Sequence, residues 1–151
     1  MVETPAAAIH ARRLIEGAAL DFVSIGTNDL TQYVMAADRL HPALTDLNNP
    51  WQVAVLELIK DVCEAGKAAG ANVGVCGEAG GHPLLALVLV GLGVDSLSMS
   101  AAKVPAVRAA LARHTFAECQ ELAQIALAAD SAEEARAAVF AKIPETADLC
   151  G

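Results

Sequence analysis

The sequence predicts an α/β fold built on a parallel β-sheet. Short apolar segments that suit buried strands alternate with longer segments of helical periodicity, giving about four βα units followed by closing helices. Parallel strands need crossover connections, which are right-handed in nearly all proteins. Polar residues follow the apolar segments, so we expect them to gather at one edge of the sheet. Two architectures satisfy these observations, a small doubly wound sheet and half of an eight-stranded barrel.

Length and composition restrict the class of protein. The chain has 151 residues, of which 55% are hydrophobic, and we treat 1–151 as one domain with no second domain. The formal net charge of −8 argues against nucleic acid and anionic membranes as partners. An anionic substrate would therefore be held by local groups.

Signals for secretion, membrane insertion and cysteine pairing are absent from the sequence. No charged segment followed by an apolar one opens the chain, so we expect a cytoplasmic protein. The longest apolar run, 84–94, is shorter than the roughly 20 residues that cross a bilayer and predicts a buried helix. The cysteines show neither a CxxC pair nor zinc-ligand spacing: Cys63, Cys76, Cys119 and Cys150.

The first three elements come from residues 1–25. Residues 1–3 are predicted to end a strand, and a helix follows with Thr4 as its N-cap and Pro5 in its first turn. Gly17 ends this helix. The apolar run 22–25 is the second predicted strand.

A short helix, a loop and the longest helix come next. The helix is predicted over 30–35, the loop over 37–50, and the long helix over 51–69 with Gly70 as its stop. In the long helix, the residue spacing places apolar side chains on one face and charged side chains on the other. The predicted apolar face contains Leu56, Ile59 and Cys63, and the charged face Lys60, Glu64 and Lys67.

The rest of the chain predicts two more strands and four helices. Residues 72–75 form a strand, 76–81 a glycine-rich turn, 83–90 a helix and 95–98 the fourth strand. The closing helices are predicted over 103–113, 116–128 and 131–142.

The polar groups at the strand ends are the first candidates for function. Gly26 allows a sharp turn after the second strand, and Asn28 or Asp29 is predicted to cap the helix that begins at Leu30. Helix N–H groups are unpaired there, so the position suits an anion, although a capping role alone is the commoner explanation. The four polar groups are Glu3, Asn28-Asp29, Cys76-Gly77-Glu78 and Ser98-Met99-Ser100. A barrel and an open sheet both bind ligands at this edge, so the pattern favours a barrel only slightly.

The segment that joins the second strand to its helix, residues 24–33, reads Ser-Ile-Gly-Thr-Asn-Asp-Leu-Thr-Gln-Tyr, and Ala-Ala-Asp-Arg follows at 36–39. These residues resemble the signature of the phosphoenolpyruvate-utilising enzymes, and most closely that of Enzyme I of the bacterial sugar phosphotransferase system. Residues 1–7 resemble its metal-ligand strand and 76–78 its cysteine motif, while 89–100 resembles the fourth strand of Enzyme I. The resemblance extends to about residue 128 and implies the C-terminal half of a phosphoenolpyruvate-binding TIM-type (β/α)8 barrel.

The resemblance implies roles for the polar groups. Phosphoenolpyruvate carries a carboxylate and a phosphate, so its site needs a hard cation with oxygen ligands and additional donors. Glu3 and Asp29 would bind Mg2+, Asn28 would donate to the substrate, and Arg39 would bind the phosphate. Asp38 is expected only as a local partner of Arg39. The alternatives are a solvated Glu3, a solvated Arg39 and an Asn28 that only caps a helix.

Cys76 matches the family's proton donor. When the phosphate leaves, the enolate gains a proton at its methylene carbon, and a thiol can supply it. The alternative, a small buried apolar residue, is our interpretation of Cys63 and Cys119. Glu78 is expected to hold the loop around the cysteine.

The remaining expectations concern parts beyond these motifs. Enzyme I passes its phosphate to a histidine of an N-terminal domain and then to the phosphocarrier protein for sugar uptake. The four histidines here match no motif and are predicted to be surface or packing residues: His10, His41, His82 and His114. The resemblance therefore implies a homodimeric enzyme of which this chain is one part, inactive by itself. The alternatives are a part of pyruvate phosphate dikinase or phosphoenolpyruvate synthase, and a non-catalytic dimerisation module.

Overall fold

The α/β prediction is confirmed by the computed structural model, which describes residues 1–149. A parallel sheet of three strands contains β1 (Phe22–Gly26), β2 (Asn72–Cys76) and β3 (Ser96–Leu97) in that order. The described residues also contain eight α-helices: α1 (Pro5–Ile9), α2 (Ala11–Gly17), α3 (Thr27–Val34), α4 (Val53–Ala69), α5 (Pro83–Gly91), α6 (Val104–Ala112), α7 (Phe116–Leu127) and α8 (Ala132–Lys142). Cys150 lies outside the described residues. No helix within 1–149 is long and apolar enough to span a membrane.

Strand order in the sheet follows the order of the chain. The register of β1 and β2 runs from Phe22 opposite Asn72 to Gly26 opposite Cys76. Val2 forms a parallel bridge with β1, because its N–H donates to the Ser24 carbonyl at 2.7 Å and its carbonyl accepts from the Gly26 N–H at 3.0 Å. The first predicted strand is thus a single bridge beside β1, and the fourth, predicted over 95–98, is the two-residue β3.

The helices bury one face of the sheet. Side chains of β1 and β2 that point to this face are no more than 7% exposed: Val23, Ile25, Val73 and Val75. The opposite face carries Phe22, which is 52% exposed, and the half-buried Ser24. A strand alternates its side chains between the two faces, so the pattern shows a sheet covered on one side.

The core is formed mainly by α4 and α5. The predicted apolar face of α4 is buried, and Gly70 ends the helix in the left-handed conformation with φ 72°. Residues 83–89 of α5 are all buried, which agrees with the predicted buried helix. At Gly91 the helix lies directly against α7, since a Cβ atom there would be only 1.9 Å from the Cys119 carbonyl oxygen.

Two helix predictions were wrong in detail. The predicted helix after Pro5 is interrupted at His10, where ψ is 16°, although the N–H and carbonyl of His10 still form helical hydrogen bonds on either side. The helix after β1 begins at Thr27, three positions before the predicted start. Asn28 and Asp29 therefore lie in the first turn of α3 and do not cap it, because Gly26 occupies the N-cap.

Short 3-10 helices occupy parts of the chain that the sequence left without an element. One of them, Pro42–Leu44, lies in the predicted loop over 37–50. Two others flank the strand ends at Ala79–Gly81 and Ala101–Lys103, and the last is Pro144–Leu149. The turns after β2 and β3 are thus held in a defined shape next to the candidate site.

Candidate functional site

An open depression of about 400 Å³ lies at the C-terminal edge of the sheet. Three of the four predicted polar groups meet in it, because parallel strands end at a common edge. Its lining residues are Asn28, Cys76, Gly77, Glu78, Gly81, Ser98, Met99, Ser100 and Lys103. Lys103 is the cation among them, and the sequence contained no signal for it.

A larger cavity of about 630 Å³ lies at the opposite edge, beside Asn72 and Asp95. There the Asp95 carboxylate accepts the Val73 N–H at 2.7 Å, and Lys60 pairs with Glu64 at 3.4 Å. Proteins with parallel sheets bind their ligands at the C-terminal ends of the strands, in the loops that follow them. We therefore assign the candidate site to the smaller depression.

The Cys76 side chain is half-buried at the end of β2. Its Sγ accepts from the Ser24 hydroxyl at 3.6 Å and donates to the Ile25 carbonyl at 3.5 Å. Burial raises the pKa of the Cys63 thiol to about 12 and raises that of Cys119 as well, with nearby acids adding to both shifts. Of the three cysteines within 1–149, Cys76 is the one that lines the depression.

Residues 76–78, here called the cysteine loop, are bonded to the start of α3. The Thr27 hydroxyl donates to the Cys76 carbonyl at 2.8 Å, and the Glu78 N–H donates to Asn28 Oδ1 at 3.2 Å. Gly77 lies between these bonds with φ 102°, a conformation that favours glycine. Glu78 thus helps to hold the loop through its backbone, while its side chain is exposed.

Glu3 reaches the same edge through the bridge at Val2. The half-buried carboxylate lies over Gly26, where a Cβ atom would be 2.7 Å from Glu3 Oε1. Gly26 is paired in register with Cys76. The missing side chain at Gly26 therefore leaves room for the Glu3 carboxylate at the strand ends.

Asp29, which follows Asn28 in α3, forms an ion pair with Arg39, and neither residue is among those that line the depression. Arg39 Nη1 lies 3.2 Å from Asp29 Oδ1, with side-chain exposures of 45% and 36%. Such exposed pairs contribute little to stability, so the contact mainly orients the two groups. Asp38 has a local role instead, since its carboxylate accepts the Leu40 N–H at 2.9 Å, while the ion-pair partner of Arg39 is Asp29.

The donor set suits Mg2+ better than a transition metal. Within residues 1–149 no three or more His, Cys, Asp or Glu side chains cluster to hold a metal. Mg2+ is commonly held by one or two carboxylates, with water and substrate oxygens completing its shell. Glu3 and Asp29 supply carboxylates at adjoining strand ends and fit this chemistry.

None of the four histidines is among the residues that line the depression. His82 caps α5, since its Nδ1 accepts the Leu85 N–H at 3.3 Å, and its ring lies edge-on to Trp51 at a centroid distance of 6.1 Å. Burial lowers the pKa of His82, and the charges of Arg136 and Lys103 lower it further. His82 thus has a packing and capping role, while His10 and His41 are exposed.

The C-terminal edge of this α/β sheet thus carries a thiol and an amide in the depression, with two carboxylates at neighbouring positions of the chain. Residues 1–116 match the family described as "PEP-utilising enzyme, PEP-binding domain", and the chain belongs to this family. Proteins named "Phosphoenolpyruvate-protein phosphotransferase" are similar to it: 55% identical over 93% of the chain in Streptomyces coelicolor, 48% over 89% in Haloferax volcanii and 44% over 89% in Haemophilus influenzae. The chain covers 25%, 23% and 23% of these relatives. The resemblance to phosphoenolpyruvate-utilising enzymes of the Enzyme I type is confirmed.

Proposed function

We propose that the chain is the phosphoenolpyruvate-binding part of a phosphoenolpyruvate-protein phosphotransferase, that is, of Enzyme I. The observation that carries this proposal is the meeting of Asn28 and Cys76 in one depression, bonded to each other through the cysteine loop. Family membership and the printed names of the relatives support the same activity. The whole enzyme would be cytoplasmic. It would pass the phosphoryl group to one of its own histidines and then to a phosphocarrier protein, which serves sugar uptake.

We propose further that the sheet is half of a (β/α)8 barrel. Val2, β1, β2 and β3 lie side by side in chain order, as barrel strands do, whereas doubly wound sheets reverse their order at a switch point. Helices on both faces would also be expected of a doubly wound sheet, but here one face is uncovered. The uncovered face, with Phe22 and Ser24, would line the barrel interior.

Substrate would be held by the groups around the depression. The Asn28 amide donates to a substrate oxygen, and the Arg39 guanidinium, oriented by Asp29, binds the phosphate. Glu3 and Asp29 would hold Mg2+, which offsets negative charge on the carboxylate and phosphate when it is bound. Lys103 adds a further positive group at the same depression.

Cys76 acts on the carbon end of the substrate. The bond between phosphorus and the enol oxygen breaks, and the phosphoryl group passes to a histidine nitrogen outside the described residues. The enolate carbon–carbon π pair then takes the proton of the Cys76 thiol, giving pyruvate and a thiolate that regains a proton from water. The reverse reaction uses the thiolate as the base.

The test is Cys76→Ala in the full-length protein. Phosphoenolpyruvate binding, measured by isothermal titration, should stay within about twofold, while pyruvate release falls by about a hundredfold or more, because a general acid contributes on that order. Cys119→Ala is the matched control, since that thiol is buried away from the depression. Loss of binding comparable to the loss of rate would overturn the assignment.

A further inference from the structure

We propose that Thr27 is a positioning residue for Cys76, acting through the backbone of the cysteine loop and not by contact with substrate. The expected effect of Thr27 on catalysis rests on the proposed function, whereas its effect on the position of the cysteine loop rests on the geometry alone. Nothing in the family resemblance gives Thr27 a role. Its position between Gly26 and Asn28 places it where α3 meets the loop that follows the neighbouring strand.

Two consecutive side chains hold the cysteine loop on both sides of Gly77. Thr27 binds the carbonyl before Gly77 at 2.8 Å, and Asn28 binds the N–H after it at 3.2 Å. A Cβ atom at Gly77 would lie 2.7 Å from Thr27 Oγ1 and 2.9 Å from Asn28 Oδ1. The two bonds therefore close tightly around a position that only glycine can occupy without displacement.

Burial gives the Thr27 bond its importance. Thr27 is 1% exposed, so its hydroxyl cannot readily exchange the Cys76 carbonyl for a water acceptor. The Cys76 sulfur is held by two contacts of its own, at 3.6 Å to the Ser24 hydroxyl and 3.5 Å to the Ile25 carbonyl, and both are weak because a thiol is a weak donor and acceptor. A small shift of the loop backbone would therefore change the position of the sulfur before it disturbed the core.

The second bond fixes the direction of the Asn28 amide. An N–H group can only donate, so the Asn28 atom that faces Glu78 is the oxygen, and Nδ2 points away from it. Asn28 lines the depression, where its amide hydrogens suit an anionic oxygen of a carboxylate or phosphate. Thr27 and Asn28 together thus set the position of the thiol relative to the substrate donor.

The test compares Thr27→Val, Thr27→Ser and Thr31→Val in the full-length protein. Thr31 is the matched control, because it is 2% exposed on the same helix and its hydroxyl has no hydrogen-bond partner among the described residues. Iodoacetamide labelling of each cysteine is followed by peptide mass spectrometry. Buried Cys63 and Cys119 report any general loosening of the fold.

Thr27→Val should raise the labelling rate of Cys76 by about threefold or more, because a released loop opens more often, without a change at Cys63 or Cys119. Thr27→Ser should restore the rate, and Thr31→Val should leave it unchanged. In turnover, Thr27→Val should lower kcat by about tenfold with a smaller change in KM for phosphoenolpyruvate, since displaced reacting groups lose rate before binding.

Equal labelling of Cys76 in Thr27→Val and the unchanged protein would overturn the proposal, as would a rise at all three cysteines. The labelling readout needs no substrate. If labelling follows the expected pattern while Cys76→Ala still releases pyruvate, the result supports the positioning of the loop by Thr27 and contradicts the proposed function.

Discussion

Glu3 and Asp29 approach the strand ends from different parts of the chain, and each has its own local support. Glu3 lies over Gly26, and Asp29 is held by Arg39 at 3.2 Å. Asp29 also lies in the first turn of α3, where the helix dipole favours a negative charge. Both carboxylates are therefore available as oxygen ligands without being buried.

The proposal that Glu3 and Asp29 bind Mg2+ can be tested directly. Glu3→Ala and Asp29→Ala should each weaken Mg2+-dependent phosphoenolpyruvate binding by about tenfold or more in titrations, because Mg2+ depends on few carboxylates. Glu16→Ala is the control, since Glu16 pairs with Arg12 on the surface of α2. A Glu3 or Asp29 variant that binds substrate normally with Mg2+ would count against that residue as a ligand.

His82 makes stability depend on pH. Its pKa is lowered in the folded protein, chiefly by burial, whereas the unfolded chain keeps a value near 6.5. The unfolded state therefore binds more protons, so the contribution of His82 is fully present above about pH 6.5 and is lost as pH falls through the folded pKa. A protonated Nδ1 could no longer accept the Leu85 N–H.

We expect the free energy of unfolding to fall more between about pH 7.5 and pH 5.5 in the unchanged chain than in His82→Asn. Asparagine keeps an acceptor at the N-cap but does not titrate. At the higher pH, His82→Asn should lower the free energy of unfolding by about 1 kcal/mol, because the ring contact with Trp51 is removed. Denaturant unfolding at both pH values measures the free energy of unfolding. His10→Asn is the control, because His10 is exposed. If His82→Asn leaves the pH dependence unchanged, His82 does not have this role.

Among the elements, α5 and α7 are in close contact at Gly91. The apolar sequence of α5 accounts for its burial, but Gly91 allows the Cys119 carbonyl to come within contact of the helix backbone. Both helices contribute to the same core cluster. The position of α7 therefore depends on one missing side chain at the end of α5.

Gly91→Ala should destabilise the chain by about 1–3 kcal/mol, because the added methyl overlaps backbone atoms that cannot move alone. Gly17→Ala, at the end of α2, is the control and should be neutral or stabilising, since a Cβ atom there meets nothing within 4 Å. Thermal unfolding of both variants gives the comparison. Equal melting temperatures for the two would show that α7 is not held in this way.

For the whole molecule, the uncovered face of the sheet is the main feature. β1 and β2 bury their helix-facing side chains, yet Phe22 on the opposite face is 52% exposed. Exposed apolar faces and open sheet edges favour association with other chains. The same surface would be covered by the remaining strands of a complete barrel.

The 151-residue chain should accordingly self-associate at micromolar concentration. Sedimentation velocity should show Phe22→Ser to be less associated than Phe116→Ser, a matched change at a side chain that is 57% exposed on α7. A compact, stable monomer for the unchanged chain would contradict the half-barrel proposal.

Much of the local structure was predictable from the sequence, because it depends on neighbouring residues. Apolar runs predicted β1 and β2 to within a residue, and the helical pattern with Gly70 predicted the end of α4. Thr4 caps α1 as expected, accepting from the Ala7 N–H at 3.2 Å. The α/β class follows from the alternation of these elements.

The tertiary structure decided which polar groups meet. Thr27 and Asn28 turn to a loop about fifty residues away instead of capping their own helix, with separations of 49 and 50 residues. Arg39 likewise pairs with Asp29 and not with its neighbour Asp38. Periodicity and capping rules describe contacts within a few residues, whereas these partners are set by parallel strands that end at a common edge. The sequence by itself therefore determined the elements and the candidate residues, while the pairing of β1 with β2 determined how those residues are arranged.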